Sequence, residues 1–214
     1  MFGHHCLRRK IPSLLNPMPK LLDLHPLNIA FMGNFSIEKG SQVFAELVEQ
    51  CRAEHLPITW WIFGGISDEK SLQKCQSFMK VKTTGFYTTS ELPSLLATNH
   101  IDLGFILSIF PESYSKLSRE CWKQELPLIY NRIGILDTLP SSNFGFAQLP
   151  HHLLGVVQLL NQFCQKPSLL EKEQQRIRRL LVNESVLSPN DKHQRYLKLY
   201  QQLQKEATQQ PGLK

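Results

Sequence analysis

The stretch DLGFILSIFPESYSKLSRE, residues 102–120, decides the fold of this chain. Residues 102–108 are mostly apolar and predict a buried strand, and the segment after Pro111 predicts a helix. A strand that turns through Pro-Glu into a helix places that turn at the carboxyl edge of a parallel sheet. Because ligands of open α/β sheets bind at this edge, the stretch also marks the candidate site.

Two glutamates in this stretch, Glu112 and Glu120, carry the first functional hypothesis. Glu112 is expected at the sheet edge, and Glu120 about two helical turns, or roughly 12 Å, further along. This spacing suits a ligand with two hydroxyl-bearing rings joined by phosphates, which describes a nucleotide-sugar. The pair directly follows a hydrophobic strand, and Leu117 and Trp122 indicate a partly buried helix, so coincidence on a solvated face is disfavoured.

The rest of the chain repeats this alternation of strand and helix. Strands are predicted at 28–32, 58–63, 81–84, 103–107, 127–130 and 144–147. Helices are predicted at 41–54, from a cap at Asp68 to about 79, at 88–99, and from Pro111 to 124. Such units predict an α/β fold: a Rossmann-like parallel sheet flanked by helices, with right-handed crossovers.

The chain of 214 residues is long enough for one such domain with tails. Residues 1–26 are predicted to form an irregular, proline-rich extension, and residues 27–150 the Rossmann-like domain. Residues 151–214 are predicted to be helices that pack on the same domain through three apolar stripes. These stripes are Leu153, Val156, Val157, Leu160 and Phe163; Ile177, Leu180 and Leu181; and Tyr196, Leu199, Tyr200 and Leu203.

Composition excludes several classes of function. The net charge of +6 is dispersed and lacks interleaved aromatic residues, so no nucleic-acid partner is expected, while weak peripheral association with an anionic membrane stays open. The five cysteines are odd in number and widely spaced, which indicates reduced thiols and a cytoplasmic location. The only metal-like cluster, at residues 4–6, lacks further ligands at zinc spacing, so neither a metal nor a cofactor is expected.

The first loop between strand and helix runs from Gly33 to Gly40. It matches neither a dinucleotide-binding GxGxxG nor a phosphate-binding GxxxxGK[ST] pattern. It does place a glycine at the strand end and Lys39 just before the helix, where a cation and free N–H groups can hold a diphosphate. The turn Ser113-Tyr114-Ser115 is a second candidate phosphate cradle.

Together these motifs resemble the C-terminal half of retaining GT-B glycosyltransferases of family 4. The matching run covers about residues 27–149. Its most specific element is the pair Pro111-Glu112 followed by a second glutamate, Glu120. The other matching positions are Gly33, Lys39-Gly40, Gly64-Gly65, Gly85, Pro127-Leu-Ile129 and Gly134. The order and spacing carry the resemblance, and the likeness extends to polysaccharide and lipopolysaccharide assembly proteins.

The resemblance implies a site that binds the nucleotide-sugar donor without metal. Gly33, Lys39 and the Ser113-Tyr114-Ser115 turn would surround the diphosphate. Glu112 would contact the donor sugar as the catalytic residue, and Glu120 the ribose. A complete GT-B enzyme also has an acceptor-binding half, which this chain lacks and which a partner chain or domain would supply.

Departures from the family pattern keep alternatives open. Asn34 replaces an arginine that many members carry, and Cys121 and Leu126 replace small residues. Three hypotheses follow: a donor-binding glycosyltransferase module, a non-catalytic remnant or regulatory domain that keeps the fold, or an unrelated α/β protein such as an epimerase-like or phosphate-binding enzyme.

Overall fold

The computed structural model describes residues 24–111, 115–134, 136, 146–148 and 153–184. Within them lies a six-stranded sheet in which every neighbouring pair is parallel. The strands are β1 Leu27–Met32, β2 Ile58–Phe63, β3 Val81–Gly85, β4 Leu103–Ile106, β5 Leu128–Asn131 and β6 Phe146–Gln148. The helices are α1 Ser41–Ala53, α2 Glu69–Phe78, α3 Leu92–Thr98, α4 Lys116–Lys123, α5 Leu153–Gln165 and α6 Ser168–Glu184. The predicted α/β, Rossmann-like fold class is confirmed.

The strand order is β3-β2-β1-β4-β5-β6. The order reverses between β1 and β4, since β1 pairs with β2 on one side and β4 on the other. At such a reversal the helices that follow the two strands lie on opposite faces of the sheet, here α1 and α4, and ligands of open α/β sheets bind in a crevice at the carboxyl edge between them. The candidate site is therefore expected outside the ends of β1 and β4.

Two apolar layers cover the two faces of the sheet. One lies under α1, α2 and α5, where Phe44 of α1 packs edge-on against Phe31, Phe35 and Trp60. The other lies under α3, α4 and α6, and its aromatic contacts include that of Trp122 with Tyr130. Because both faces are covered, the strands β1, β2, β4 and β5 are mostly apolar and buried, whereas the edge strand β3 carries exposed polar residues.

Most predicted elements agree with the structure to within one or two residues at each end. The Asp68 cap of α2 is confirmed, because its carboxylate accepts a 3.1 Å hydrogen bond from the Ser71 N–H. Two helix starts were predicted too early. Helix α3 begins at Leu92 instead of Thr88, because Glu91 accepts hydrogen bonds from the N–H and hydroxyl of Thr88 and holds a turn there.

The second early start concerns α4, which begins at Lys116, after a non-helical Ser115. In the C-terminal part, Val156, Val157, Leu160 and Phe163 of α5 are buried, as the first apolar stripe predicts. The stripe at 196–203 and the extension before residue 24 lie outside the described residues. No helix among the described residues is long and apolar enough to cross a membrane.

Candidate functional site

The loop from Gly33 to Gly40 forms one wall of the crevice. It leaves β1 at Gly33, whose φ of +107° favours glycine. The Gly33 N–H donates to the Phe63 carbonyl at 2.8 Å, and the Phe35 N–H donates to the Gly65 carbonyl at 2.8 Å. These bonds attach the loop to the end of β2, so its backbone is held in place at the sheet edge.

The end of the same loop packs against the segment that follows β4. Gly40 has a φ of +86°, and a Cβ there would come within 2.2 Å of the Leu107 carbonyl oxygen. The Ile109 N–H donates to the Glu38 carbonyl at 3.0 Å. Lys39 lies between, half-buried in the turn that leads into α1. The structure thus places this predicted phosphate-binding lysine beside the strand reversal.

Asp68 supports the loop from the neighbouring α2. It accepts a 2.5 Å hydrogen bond from the Ser41 hydroxyl in addition to its bond with Ser71. Burial opposes the charge of Asp68, but these hydrogen bonds outweigh it and lower its pKa. Because Ser41 is the first residue of α1, the charged carboxylate ties the beginnings of α1 and α2 together.

The side chain of Asn34 is also engaged. Its Nδ2 donates to the Ser67 hydroxyl at 2.9 Å, in the loop between β2 and α2. This position is where the resemblance leads one to expect an arginine that clamps phosphate. Here the residue connects two loops instead.

The first turn of α4 forms the opposite wall. Ser115, which precedes the helix, is only 2% exposed, and its Oγ has no hydrogen-bond partner within the described part of the chain. Leu117 lies directly against Gly33, since a Cβ on that glycine would come within 3.1 Å of the Leu117 Cδ2. The walls therefore meet at Gly33 and Leu117, with a buried hydroxyl at the start of the helix.

Glu120 lies one turn further along α4, with its side chain 15% exposed. Its Oε1 accepts a 2.9 Å hydrogen bond from the Thr89 hydroxyl and lies 3.4 Å from the Lys116 Nζ. Tyr87, in the same loop as Thr89, is half-buried; burial and the nearby Cys121 and Glu120 raise its pKa. Glu120 is thus oriented by the loop after β3, a strand separated from β4 by β2 and β1.

Among the predicted site residues, the structure places Gly33, Lys39, Ser115 and Glu120 along this crevice. Glu112, Ser113 and Tyr114 lie outside the described residues, so the predicted role of the Glu112–Glu120 pair stays a prediction. No group of three or more potential metal-ligating His, Cys, Asp or Glu side chains is found in the described ranges. The four described cysteines are free and buried.

Two residues of the site were missed from the sequence. One is Thr89, which holds Glu120. The other is Phe86, which is 89% exposed and whose ring end lies so close to Gly65 that a Cβ there would meet its Cζ at 2.3 Å. The available signal was the pair of aromatic residues Phe86 and Tyr87 directly after Gly85, ahead of a polar run.

Comparison with known structures identifies the fold. The C-terminal domain of the glycosyl transferase group 1 family protein LpcC from Francisella tularensis superposes with a TM-score of 0.60 at 17% identity, over 76% of this chain and 87% of that domain. This chain has the fold of a GT-B glycosyltransferase C-terminal domain. A glycosyltransferase from Rickettsia africae matches with a TM-score of 0.61 at 20% identity, over 91% of this chain and 54% of its own.

A third similar structure, HepE from Anabaena, was solved in complex with UDP-glucose. It gives a TM-score of 0.60 at 16% identity, over 73% of this chain and 44% of HepE. This GT-B half therefore spans about half the length of HepE and of the Rickettsia enzyme. No protein-family model and no curated protein matches the chain.

Proposed function

We propose that this chain is the donor-binding module of a retaining glycosyltransferase. It binds a nucleotide-diphosphate sugar in the crevice between β1 and β4, for transfer to a glycan or lipid-linked acceptor. The observation that carries the proposal is the meeting of Gly33 and Leu117 at the strand reversal, with Glu120 one helical turn beyond. HepE, which shares the fold, was solved with a ligand of this class.

The ribose of the donor is assigned to Glu120. A ribose presents two neighbouring hydroxyls, and a carboxylate accepts hydrogen bonds from both. Thr89 and Lys116 both contact Oε1 of Glu120, and these contacts orient the carboxylate. In this proposal the other carboxylate oxygen, Oε2, accepts the hydrogen bonds from the ribose. Glu112 is assigned to the donor sugar as the catalytic residue, by its match to the family pattern.

The diphosphate is assigned to the two walls of the crevice. Lys39 supplies a positive charge, and the Ser115 hydroxyl and the N–H groups of the turn from Ser113 supply donors. Fixed donors and cations of this kind offset the charge that develops on a leaving diphosphate. This assignment gives the buried, unpartnered Ser115 Oγ a role, and the reaction would need no metal.

The nucleobase is assigned to Phe86. Its ring is largely exposed, is backed by Gly65, and lies three residues before Thr89, the residue that orients the ribose-binding carboxylate. An exposed aromatic face beside a ribose site can stack a base of any identity. Stacking at Phe86 would therefore contribute affinity without selecting one base.

The acceptor site is assigned to another domain or a partner chain, because the module spans only 44% of HepE and 54% of the Rickettsia enzyme. Closure of a second domain over the crevice would exclude water and complete the catalytic arrangement. We place the activity in cytoplasmic polysaccharide or lipopolysaccharide assembly, on the family likeness and the reduced thiols.

A non-catalytic or regulatory domain is the second candidate, and one observation favours it. Asn34 replaces the expected arginine, and its amide is already bonded to Ser67. The crevice therefore has one cation fewer for a diphosphate than the family pattern provides. A domain of this kind would keep the fold and bind nucleotides weakly or not at all.

Calorimetric titration with nucleoside diphosphates and nucleotide-sugars separates the two candidates. Saturable binding of one nucleotide to the wild type, lost in Glu120→Ala and kept in Glu49→Ala, supports the donor site. Glu49 is a suitable control because its carboxylate pairs with Lys74 on a solvent-exposed surface. A folded wild-type protein that binds none of these ligands at millimolar concentration would establish the non-catalytic alternative.

A further inference from the structure

A buried asparagine at the end of β5 holds the segment that leaves β4. The side chain of Asn131 is 3% exposed, and its Nδ2 donates to the carbonyls of Leu107 at 3.0 Å and of Ser108 at 3.1 Å. An amide nitrogen carries two hydrogens, so one side chain can hold two successive carbonyls. The direction in which the chain leaves β4 is therefore fixed by a side chain of the neighbouring strand.

The place of Asn131 in the sheet explains how it reaches these carbonyls. Ile106, the last residue of β4, pairs with Tyr130, so Leu107 follows at the level of Asn131. The side chain of Asn131 thus continues the contact between the two strands where the backbone pairing stops. Because side chains alternate along a strand, Asn131 faces the same side as Ile129, which belongs with Leu107 to the apolar layer under α1. The segment after β4 is held on the face of the sheet that α1 covers.

The same segment contacts the loop between β1 and α1. The Leu107 carbonyl oxygen, which accepts from Asn131, is also the atom that a Cβ on Gly40 would approach within 2.2 Å. Two residues further along, the Ile109 N–H donates to the Glu38 carbonyl at 3.0 Å. The segment therefore connects the end of β5 to the last turn of this loop, residues 36–41, which we call the lysine turn.

Lys39 stands between the two points of contact, Glu38 and Gly40. Its N–H donates to the Ser36 carbonyl at 3.1 Å, so the lysine turn is closed by its own backbone. Because the Leu107 carbonyl lies in close contact with Gly40, a movement of this carbonyl changes the position of the turn. The amide of β5 and the lysine are thus linked through one short segment.

We propose that Asn131 is a positioning residue for the diphosphate subsite. Its amide fixes the carbonyls of Leu107 and Ser108, the segment holds the lysine turn, and the turn places Lys39 beside the strand reversal. Asn131 acts through Lys39 and makes no contact with the donor. This inference rests on the proposed function for the role of Lys39, whereas the link between Asn131 and the lysine turn is measurable without a ligand.

Calorimetric titration of UDP and uridine into Asn131→Ala tests the role in binding. The affinity for UDP should fall roughly fivefold, less than in Lys39→Ala, because the lysine stays but is no longer held, and the affinity for uridine should not change. The double variant Asn131→Ala with Lys39→Ala should bind UDP as Lys39→Ala does, since a residue that acts only through Lys39 has no effect once the lysine is gone. An equal loss for UDP and uridine, or a loss that adds to that of Lys39→Ala, would overturn the proposal.

Hydrogen exchange of the ligand-free protein tests the link itself. The amides of Lys39, Gly40 and Ile109 should exchange faster in Asn131→Ala than in the wild type, because the segment that holds them has lost its donor. Asn99→Ala is the matched control: its Nδ2 donates at 2.8 Å to a carbonyl of α3, and its loss should leave these three amides unchanged. Unchanged exchange in Asn131→Ala, or the same acceleration in Asn99→Ala, contradicts the link.

The two measurements separate this inference from the proposed function. If the wild type binds no UDP but Asn131→Ala selectively accelerates exchange in the lysine turn, the proposed function is wrong and the positioning of the turn stands. If the wild type binds UDP and Asn131→Ala changes neither UDP binding nor exchange, the donor site stands and the positioning is wrong. Asn131→Ser, which keeps one donor, is the second variant and should show the same selective changes at smaller size. Loss of folding in both variants would mean that Asn131 is structural, and would overturn the proposal.

Discussion

The hydroxyl of Thr89 donates a 2.9 Å hydrogen bond to Oε1 of Glu120, across 31 positions of sequence. Thr89 lies in the loop after β3, and Glu120 lies on α4, which follows β4. These two strands are separated in the sheet by β2 and β1. The loop after β3 therefore orients a carboxylate on α4. A substitution at Thr89 or at Glu120 should change the affinity for the ligand.

Glu120→Ala should weaken binding of a nucleotide-sugar about tenfold, because hydrogen bonds to a charged carboxylate are lost. The free energy of unfolding should change by no more than about 1 kcal/mol, since the side chain is at the rim of the site. Thr89→Val, which keeps the carboxylate but loses its orienting bond, should cause a smaller loss. Calorimetry and thermal melts measure the two effects. If Glu120→Ala unfolds the protein, its role is structural.

Lys39→Ala should reduce the affinity for UDP about tenfold and leave the affinity for uridine unchanged, because only the diphosphate needs the cation. Lys74→Ala is the control, since Lys74 pairs with Glu49 on the surface and lies on α2. Calorimetric titration of both ligands into both variants provides the comparison. An equal loss for UDP and uridine would argue against a phosphate role for Lys39.

Phe86→Ala should have the complementary effect. Loss of a stacking surface is expected to cost about 1–3 kcal/mol in the binding of UDP and uridine alike, because both carry the base. Inorganic pyrophosphate should bind equally to variant and wild type. Competition between pyrophosphate and UDP, measured for the variant and the wild type, gives the relative affinity of the two ligands. If the variant binds uridine as tightly as the wild type does, the assignment of the nucleobase to Phe86 is wrong.

Gly40→Ala should destabilise the domain by about 3 kcal/mol. A side chain there combines a left-handed backbone with a Cβ only 2.2 Å from the Leu107 carbonyl oxygen. Gly85→Ala is the matched control: its φ is +71°, but a Cβ would meet nothing within 4 Å, so only the backbone cost of about 1 kcal/mol remains. Denaturant unfolding of both variants separates strain from collision, and equal losses would refute the close packing at Gly40.

Asp68→Asn keeps a side chain that can cap α2 but removes the charged carboxylate, which accepts hydrogen bonds from the Ser41 hydroxyl and the Ser71 N–H. Because the folded-state pKa of Asp68 lies below its ordinary value of 3.8, the carboxylate contributes stability above that pH. This contribution is lost as the pH falls through the folded-state pKa. The wild type should therefore be more stable than Asp68→Asn near pH 7, and the difference in their free energies of unfolding should narrow below about pH 4. Denaturant unfolding across pH measures it, and a gap independent of pH would contradict the prediction.

Prediction from the sequence was successful where a feature depends on neighbouring residues. Four of the strands, β1, β2, β4 and β5, are mostly apolar runs, Asp68 precedes an amphipathic segment, and Gly33 and Gly40 bound a loop. The starts of α3 and α4 were predicted too early, because a local turn at Thr88–Glu91 and a non-helical Ser115 intervene. These interruptions rest on side-chain bonds and backbone angles that apolar periodicity does not record.

By itself, the sequence determined the alternation of strands and helices and the parallel sheet that follows from it, while the roles of the candidate site residues stay predictions. Only the tertiary structure decided that Thr89 holds Glu120, that Phe86 lies over Gly65, and that Asn34 is bonded to Ser67. The physical reason is one of range. Periodicity and capping arise from residues a few positions apart, whereas these contacts join loops that follow different strands and become neighbours only when the strands pair in the order of the sheet.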